Sequence, residues 1–134
     1  MKRVLFVCLG NSCRSQMAEA LARHYAGDVI EATSAGTNPL GCVAELTREV
    51  LRERGVASKG QYSKGLEEAG IDEAELVVNM SGRALEWAGC EVVAWAVEDP
   101  YGDSVATYRR ICDDVEARVK KLGAELRGEA KKGQ

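Results

Sequence analysis

One histidine and no Cys-x-x-Cys pair leave the chain without the ligand spacing of a zinc site. No apolar run approaches the roughly 20 residues needed to span a bilayer, so no membrane role is expected. Positive charge is not in excess either. Eighteen lysines and arginines against 21 acidic residues give a net charge of −3, which argues against nucleic acid or an anionic membrane as the main partner. The five cysteines are odd in number and irregularly spaced. They suit a reducing compartment better than a disulfide framework, so a cytoplasmic setting is expected. Lys2-Arg3 before residues 4–7 looks like the start of a leader. The apolar run is too short and no small-residue cleavage site follows, so it reads as a first strand. With no repeat or linker, residues 1–127 read as one domain and 128–134 as a polar, frayed C-terminal tail.

What the chain does have is alternation of apolar strands and amphipathic helices, the pattern of an α/β fold. It predicts a three-layer domain with a parallel sheet and helices on both faces. Strands are expected at 4–8, 29–33, 76–80 and 92–97, and helices at 14–25, 43–54 and 103–122, the last capped by Asp103 or Ser104. A short helix near 65–69 and a helical turn at 84–87 are weaker expectations. Ligands of such sheets gather beyond the carboxyl ends of the strands.

The most informative stretch is Cys8-Leu9-Gly10-Asn11-Ser12-Cys13-Arg14-Ser15, which follows the first strand and opens the first helix. Cysteine and arginine at this spacing recur at Cys42 to Arg48 and Cys112 to Arg118. Those copies hold acidic residues, which repel an anion and disfavour a thiolate. In the first copy Gly10 permits a tight turn and Asn11 tolerates left-handed backbone. Successive amides can then form an anion nest at the helix N-terminus. Such settings lower cysteine pKa values to roughly 3.5–7.5, making Cys8 a candidate nucleophile. Arg14 offers a planar fork for two oxygens of an oxyanion, and Ser12 or Ser15 a hydroxyl for the sulfur. The plainer reading is a buried core cysteine with Arg14 on the helix surface, which leaves Gly10-Asn11 and the hydroxyls without a purpose.

A thiolate attacking a phosphate monoester needs an acid for the departing oxygen. Asp99 in Glu98-Asp99-Pro100-Tyr101 is the candidate, with Glu98 and Asp103 as competitors. Pro100 keeps Asp99 out of the helical region, although Asp-Pro is also an ordinary turn signal. Tyr101 can stack beside an aromatic leaving group. Cys13 either pairs reversibly with Cys8 under oxidation or fills space. His24 reads as surface, Trp95 as core, and Cys42, Cys90 and Cys112 as structural.

These residues resemble the low-molecular-weight protein tyrosine phosphatase family, including the arsenate reductases of the same fold. The signature loop from Val7 to Ser15, the block Ser34-Ala35-Gly36-Thr37 and Asp99-Pro100 carry the likeness. It implies a four-stranded parallel sheet, with Cys8 as nucleophile, Arg14 as clamp, Asp99 as general acid and Ser15 bonded to the thiolate. Asn11 would brace the loop and Ser34 support it. No catalytic metal is implied. Gln16, where the phosphatases usually carry proline, and Trp95-x-x-Glu98-Asp99-Pro100 resemble the reductases. Tyr101 resembles the phosphatases, whose second aromatic wall is absent here, with Asn38-Pro39-Leu40 in its place. Ser81 stands where the thioredoxin-coupled reductases carry their first relay cysteine. Some reductases of this fold bind potassium. Asn11, Glu19 and Ser34 match three of its ligands, and the aspartate among them has no match.

The expected function is therefore a cysteine-dependent phosphatase acting on aryl phosphates, such as phosphotyrosine in protein, through a phosphocysteine. The expected substrate-binding residues are Leu9, Gly10, Asn11, Ser12, Cys13, Ser15 and Tyr101. The alternative is an arsenate reductase of the same fold served by an external thiol. A phosphocarrier would need neither Arg14 nor Asp99, and a redox sensor would use Cys8 with Cys13.

Overall fold

The computed structural model describes residues 1–132. Four parallel strands, β1 (Lys2–Cys8), β2 (Ile30–Gly36), β3 (Leu76–Asn79) and β4 (Glu91–Ala94), form one sheet in the order β2-β1-β3-β4. The register sets Cys8 beside Gly36 and Val7 beside Asn79. After β1 the chain crosses to β2 on one side, then returns to β3 on the other. The crevice of this switch point opens at the carboxyl end of β1, where Cys8 lies.

Strand alternation divides the core. Val4, Phe6 and Cys8 join an apolar cluster with α1 (Arg14–Ala26), α2 (Glu45–Glu53) and α3 (Val105–Lys132). Leu5 and Val7 point to the opposite face, under Ile71 of a short 3-10 helix (Ile71–Glu73), Leu85 and Trp87. β1 is buried on both faces, which explains its unbroken apolar run. Trp95, partly buried, packs its ring 5.8 Å from that of Phe6, against the core and away from the cavity lining.

Several element expectations are corrected. α3 continues through Gly128 to Lys132, where a frayed tail is expected from 128 onward; residues 133–134 lie outside the described residues. Tertiary contacts hold this extension. Gly123 is pressed against Ala26, Leu126 is buried, and Arg127 donates two hydrogen bonds of 2.8 Å to the Asp28 carboxylate. Residues 84–87 form no helical turn and 65–69 no helix. Among the described residues no helix is long and apolar enough to cross a membrane.

Candidate active site

The loop between β1 and α1 is built as an anion cradle. Asn11 has φ 49°, a left-handed conformation that bends the chain back on itself. The carbonyls of Cys8, Leu9 and Gly10 turn outward and accept from the amides of Thr37, Asn38 and Leu40. The Ser12 carbonyl accepts from Ala44 N and from Thr47 Oγ1. With its carbonyls spoken for on one side, the loop leaves the amides of Gly10, Asn11, Ser12, Cys13 and Arg14 without a partner among the described residues. Unpaired amides lining a cavity are available to an acceptor from outside the chain. The Ser12 hydroxyl and Arg14 Nε are buried and unpaired as well. Five amides, a hydroxyl and a guanidinium at one helix N-terminus form a donor set for an oxyanion.

Cys8 opens this loop. Its Sγ lies 2.9 Å from Ser15 Oγ, which in turn accepts from Asn11 Nδ2 at 2.7 Å. Arg14 is only 5% exposed. Its Nη1 donates to the carbonyls of Met80 and Val97, fixing the fork from the ends of two other segments. Its Nη2 lies 3.5 Å from Asp99 Oδ2. The other Asp99 oxygen accepts from Tyr101 N at 3.0 Å, so the Asp-Pro turn forms and still presents a carboxylate to Arg14. Glu98 pairs instead with Arg110, and Asp103 with the amide of Ser104.

Cys8, Leu9, Gly10, Ser12, Cys13, Arg14, Asp99 and Tyr101 line a cavity of about 140 Å³, shared with Asn38 and Leu40. Tyr101 and Leu40 stand half exposed at its rim, at 58% and 51%. Asn11, Ser15 and Ser34 lie behind the loop rather than in the cavity. Ser34 donates to buried Glu19 at 2.7 Å. Asn11, Glu19 and Ser34 thus converge, and Lys64 reaches the same place with its ammonium 3.6 Å from Glu19 Oε1.

Sequence reasoning missed Gln61 and Lys64, and read Gln16 only as a mark of the reductases rather than as a brace of the loop. Gln16 donates to Asn11 Oδ1 and to the Tyr62 carbonyl, and Gln61 donates to Gln16. Gln61 and Lys64 sit in a stretch without periodicity, and their bonds to Gln16 and Asn11 span 45 and 53 residues of sequence. Among the remaining cysteines, Cys13 is buried with its sulfur 3.4 Å from Tyr108 Oη. Burial pushes its thiol up, and that of Cys112 up to about 11. Cys42, expected to be structural, is exposed. No cluster of three metal-ligating side chains occurs among the described residues.

A family model described as low molecular weight phosphotyrosine protein phosphatase matches residues 3–132. A glutaredoxin arsenate reductase from Synechocystis is 34% identical over 131 residues, covering 94% of this chain and 99% of that one. An arsenate reductase in its phosphate-binding state superposes with TM-score 0.85 at 33% identity, covering 94% and 99% of the two chains. An arginine phosphatase from Geobacillus stearothermophilus has TM-score 0.84 at 26% identity, over 100% and 98%. These relatives correct the aryl phosphatase expected from sequence: those above 30% identity are arsenate reductases. The geometry agrees with the correction. The cavity has Tyr101 as its one aromatic side chain, with Asn38 and Leu40 on its wall, and so lacks a pair of rings to hold an aryl group.

Proposed function

The chain belongs to the low molecular weight phosphotyrosine protein phosphatase family, and within it we propose that it is an arsenate reductase drawing its electrons from an external thiol. The supporting observation is the small cradle in which unpaired amides, Ser12 Oγ and Arg14 Nε meet the Cys8 sulfur. Arsenate is a tetrahedral oxyanion of the right charge and size for such a donor set.

The chemistry follows from the residues. Arg14 and the loop amides hold arsenate with one As–O bond directed away from Cys8. The Cys8 thiolate attacks arsenic, and an As–O bond breaks as Asp99 delivers a proton to the departing oxygen, which leaves as water. An S–As(V) bond now links protein and substrate. A thiolate from solution then attacks the Cys8 sulfur. The S–As pair leaves with arsenic, giving arsenite, and a mixed disulfide remains on Cys8. Arsenic falls from +5 to +3, and the two sulfurs each give up one electron. A second equivalent of thiol attacks the mixed disulfide and frees Cys8.

Three features support an external donor. Ser81, whose hydroxyl donates to Asn79 Oδ1, cannot form a disulfide. Cys90 packs against the apolar cluster on the far face of the sheet, and burial pushes its thiol up. The Synechocystis relative is named for glutaredoxin. An external small-thiol supply fits the cytoplasm, where we place the protein.

The test is a side-by-side assay of arsenate-dependent disulfide formation with glutathione plus glutaredoxin and, separately, with thioredoxin, beside hydrolysis of an aryl phosphate. Turnover of arsenate with the glutathione system is expected. Fast aryl phosphate hydrolysis without arsenite formation would overturn the proposal.

A further inference from the structure

Behind the oxyanion loop lies a buried charge that the proposed chemistry does not use. Glu19 is 2% exposed in the middle of α1. A buried carboxylate needs a counter-charge and hydrogen bonds. Ser34 donates one bond, and Arg23, one turn on, approaches Glu19 Oε2 at 2.9 Å from a half-exposed position. The buried partner is Lys64, 8% exposed. Its Nζ lies 3.6 Å from Glu19 Oε1, donates to the Tyr62 carbonyl at 3.3 Å, and sits 4.7 Å from the centre of the Tyr62 ring.

Lys64 is also stitched to the loop through its backbone. Its amide donates to Asn11 Oδ1 at 2.9 Å, and its carbonyl accepts from Gly36 N at 2.9 Å. Asn11 continues to Ser15, and Ser15 to Cys8. A buried, continuous path therefore runs from the lysine to the sulfur.

Asn11, Glu19 and Ser34 are the residues whose likeness to relatives implies a potassium ion. They do not fit one here. An ammonium already faces Glu19, and a second cation beside it meets like-charge repulsion in a poorly solvated site. We propose that Lys64 is a tethered cation standing in for potassium, a positioning residue that holds Asn11 and Ser15 against Cys8 and makes the site indifferent to dissolved potassium. The inference rests on Cys8–Arg14 being an oxyanion loop, whichever oxyanion it takes.

The experiment compares the full chain with Lys64→Ala and Lys64→Met in potassium, sodium or tetramethylammonium chloride at equal ionic strength. It reads thermal unfolding and the phosphate-protectable rate of iodoacetamide labelling at Cys8. The wild-type protein is expected to unfold and label identically in all three salts. Lys64→Ala, which leaves room for an ion, should label about fivefold more slowly in tetramethylammonium and recover in potassium. Lys64→Met, whose side chain fills the space, should slow similarly without recovery, and it carries the test if the alanine variant does not fold. A wild-type gain of more than about 2 °C in potassium over tetramethylammonium, or wild-type labelling by both variants in tetramethylammonium, overturns the proposal. Loss of phosphate protection in the wild-type protein would instead remove the oxyanion loop itself.

Discussion

Ser15 Oγ stands 2.9 Å from Cys8 Sγ while accepting a 2.7 Å hydrogen bond from Asn11 Nδ2. A hydroxyl has one hydrogen to give, and with the asparagine amide as donor on its other side that hydrogen is free for a Cys8 thiolate, which can only accept. Asn11, bent into the left-handed region, thereby orients a donor on the nucleophile from one turn away.

Ser15→Ala removes this donor without opening the oxyanion cradle. Alkylation of Cys8 at neutral pH is expected to slow by about tenfold, the worth of one hydrogen bond to a charged group. Phosphate affinity should change little. Titration calorimetry with phosphate, beside the labelling rate, separates the two effects.

Arg14→Lys should be far more damaging than its conserved charge suggests. Arg14 spans two backbone carbonyls, the cavity and Asp99 at once, and a point charge cannot reach them all. A fall of about 10²–10³-fold in kcat/KM for arsenate is expected. Near-normal kinetics would remove bidentate clamping from the account.

The remaining cysteines should be dispensable with an external donor. Serine at positions 13, 42, 90 or 112 is expected to leave arsenate turnover with glutathione within a few-fold of wild type. Cys42 is the informative one, being exposed on the segment that also gives Asn38 and Leu40 to the cavity. A requirement for it would point to an internal resolving thiol.

Gly36→Ala tests how tightly β2 abuts the loop. A Cβ there would come 2.8 Å from the Leu9 carbonyl oxygen and 3.0 Å from Asn11 N, and backbone atoms cannot swing aside. We expect about 1–3 kcal/mol of destabilisation in urea and a weaker phosphate site. Gly128→Ala is the contrast. It lies inside α3 with nothing within 4 Å of the added methyl, and should stabilise by about 0.5–1 kcal/mol.

Stability should fall at alkaline pH. Burial pushes the Cys112 thiol from its ordinary value of 9.0 up to about 11 and raises Cys13 and Tyr108 as well. Below pH 9 both folded and unfolded chains keep the Cys112 proton. Above it the unfolded chain loses the proton first and is favoured. Cys112 alone should cost about 2–3 kcal/mol by pH 11, and Cys112→Ala should flatten the decline in thermal unfolding midpoint across that range.

The parts legible in the sequence are those with a local signature. The β1 run, the Gly10-Asn11 turn, the apolar stripe of α3 and Asp99-Pro100 each announce themselves within a few residues. The brace behind the loop does not. Gln16, Gln61 and Lys64 are polar, lie in two segments far apart in sequence, and acquire meaning only when residues 61–64 pack beside β2 and α1. The end of α3 is masked by Gly123 and Gly128, poor helix formers, although Leu126 continues the apolar spacing and Arg127 is held by Asp28. The proposed choice of arsenate over aryl phosphate is illegible for a different reason. Both reactions use one cradle and one nucleophile, and the difference lies in the cavity rim and in where the second sulfur comes from.

The central claim is that Cys8 exchanges an arsenic bond for a disulfide with an outside thiol. Intact-mass measurement after one turnover with arsenate and glutathione, with the arsenic species counted in parallel, tests it most directly. The account predicts one glutathione on Cys8 for each arsenite released, and neither product from Cys8→Ser. Arsenite formed without a Cys8 adduct, or formed equally by Cys8→Ser, would contradict it.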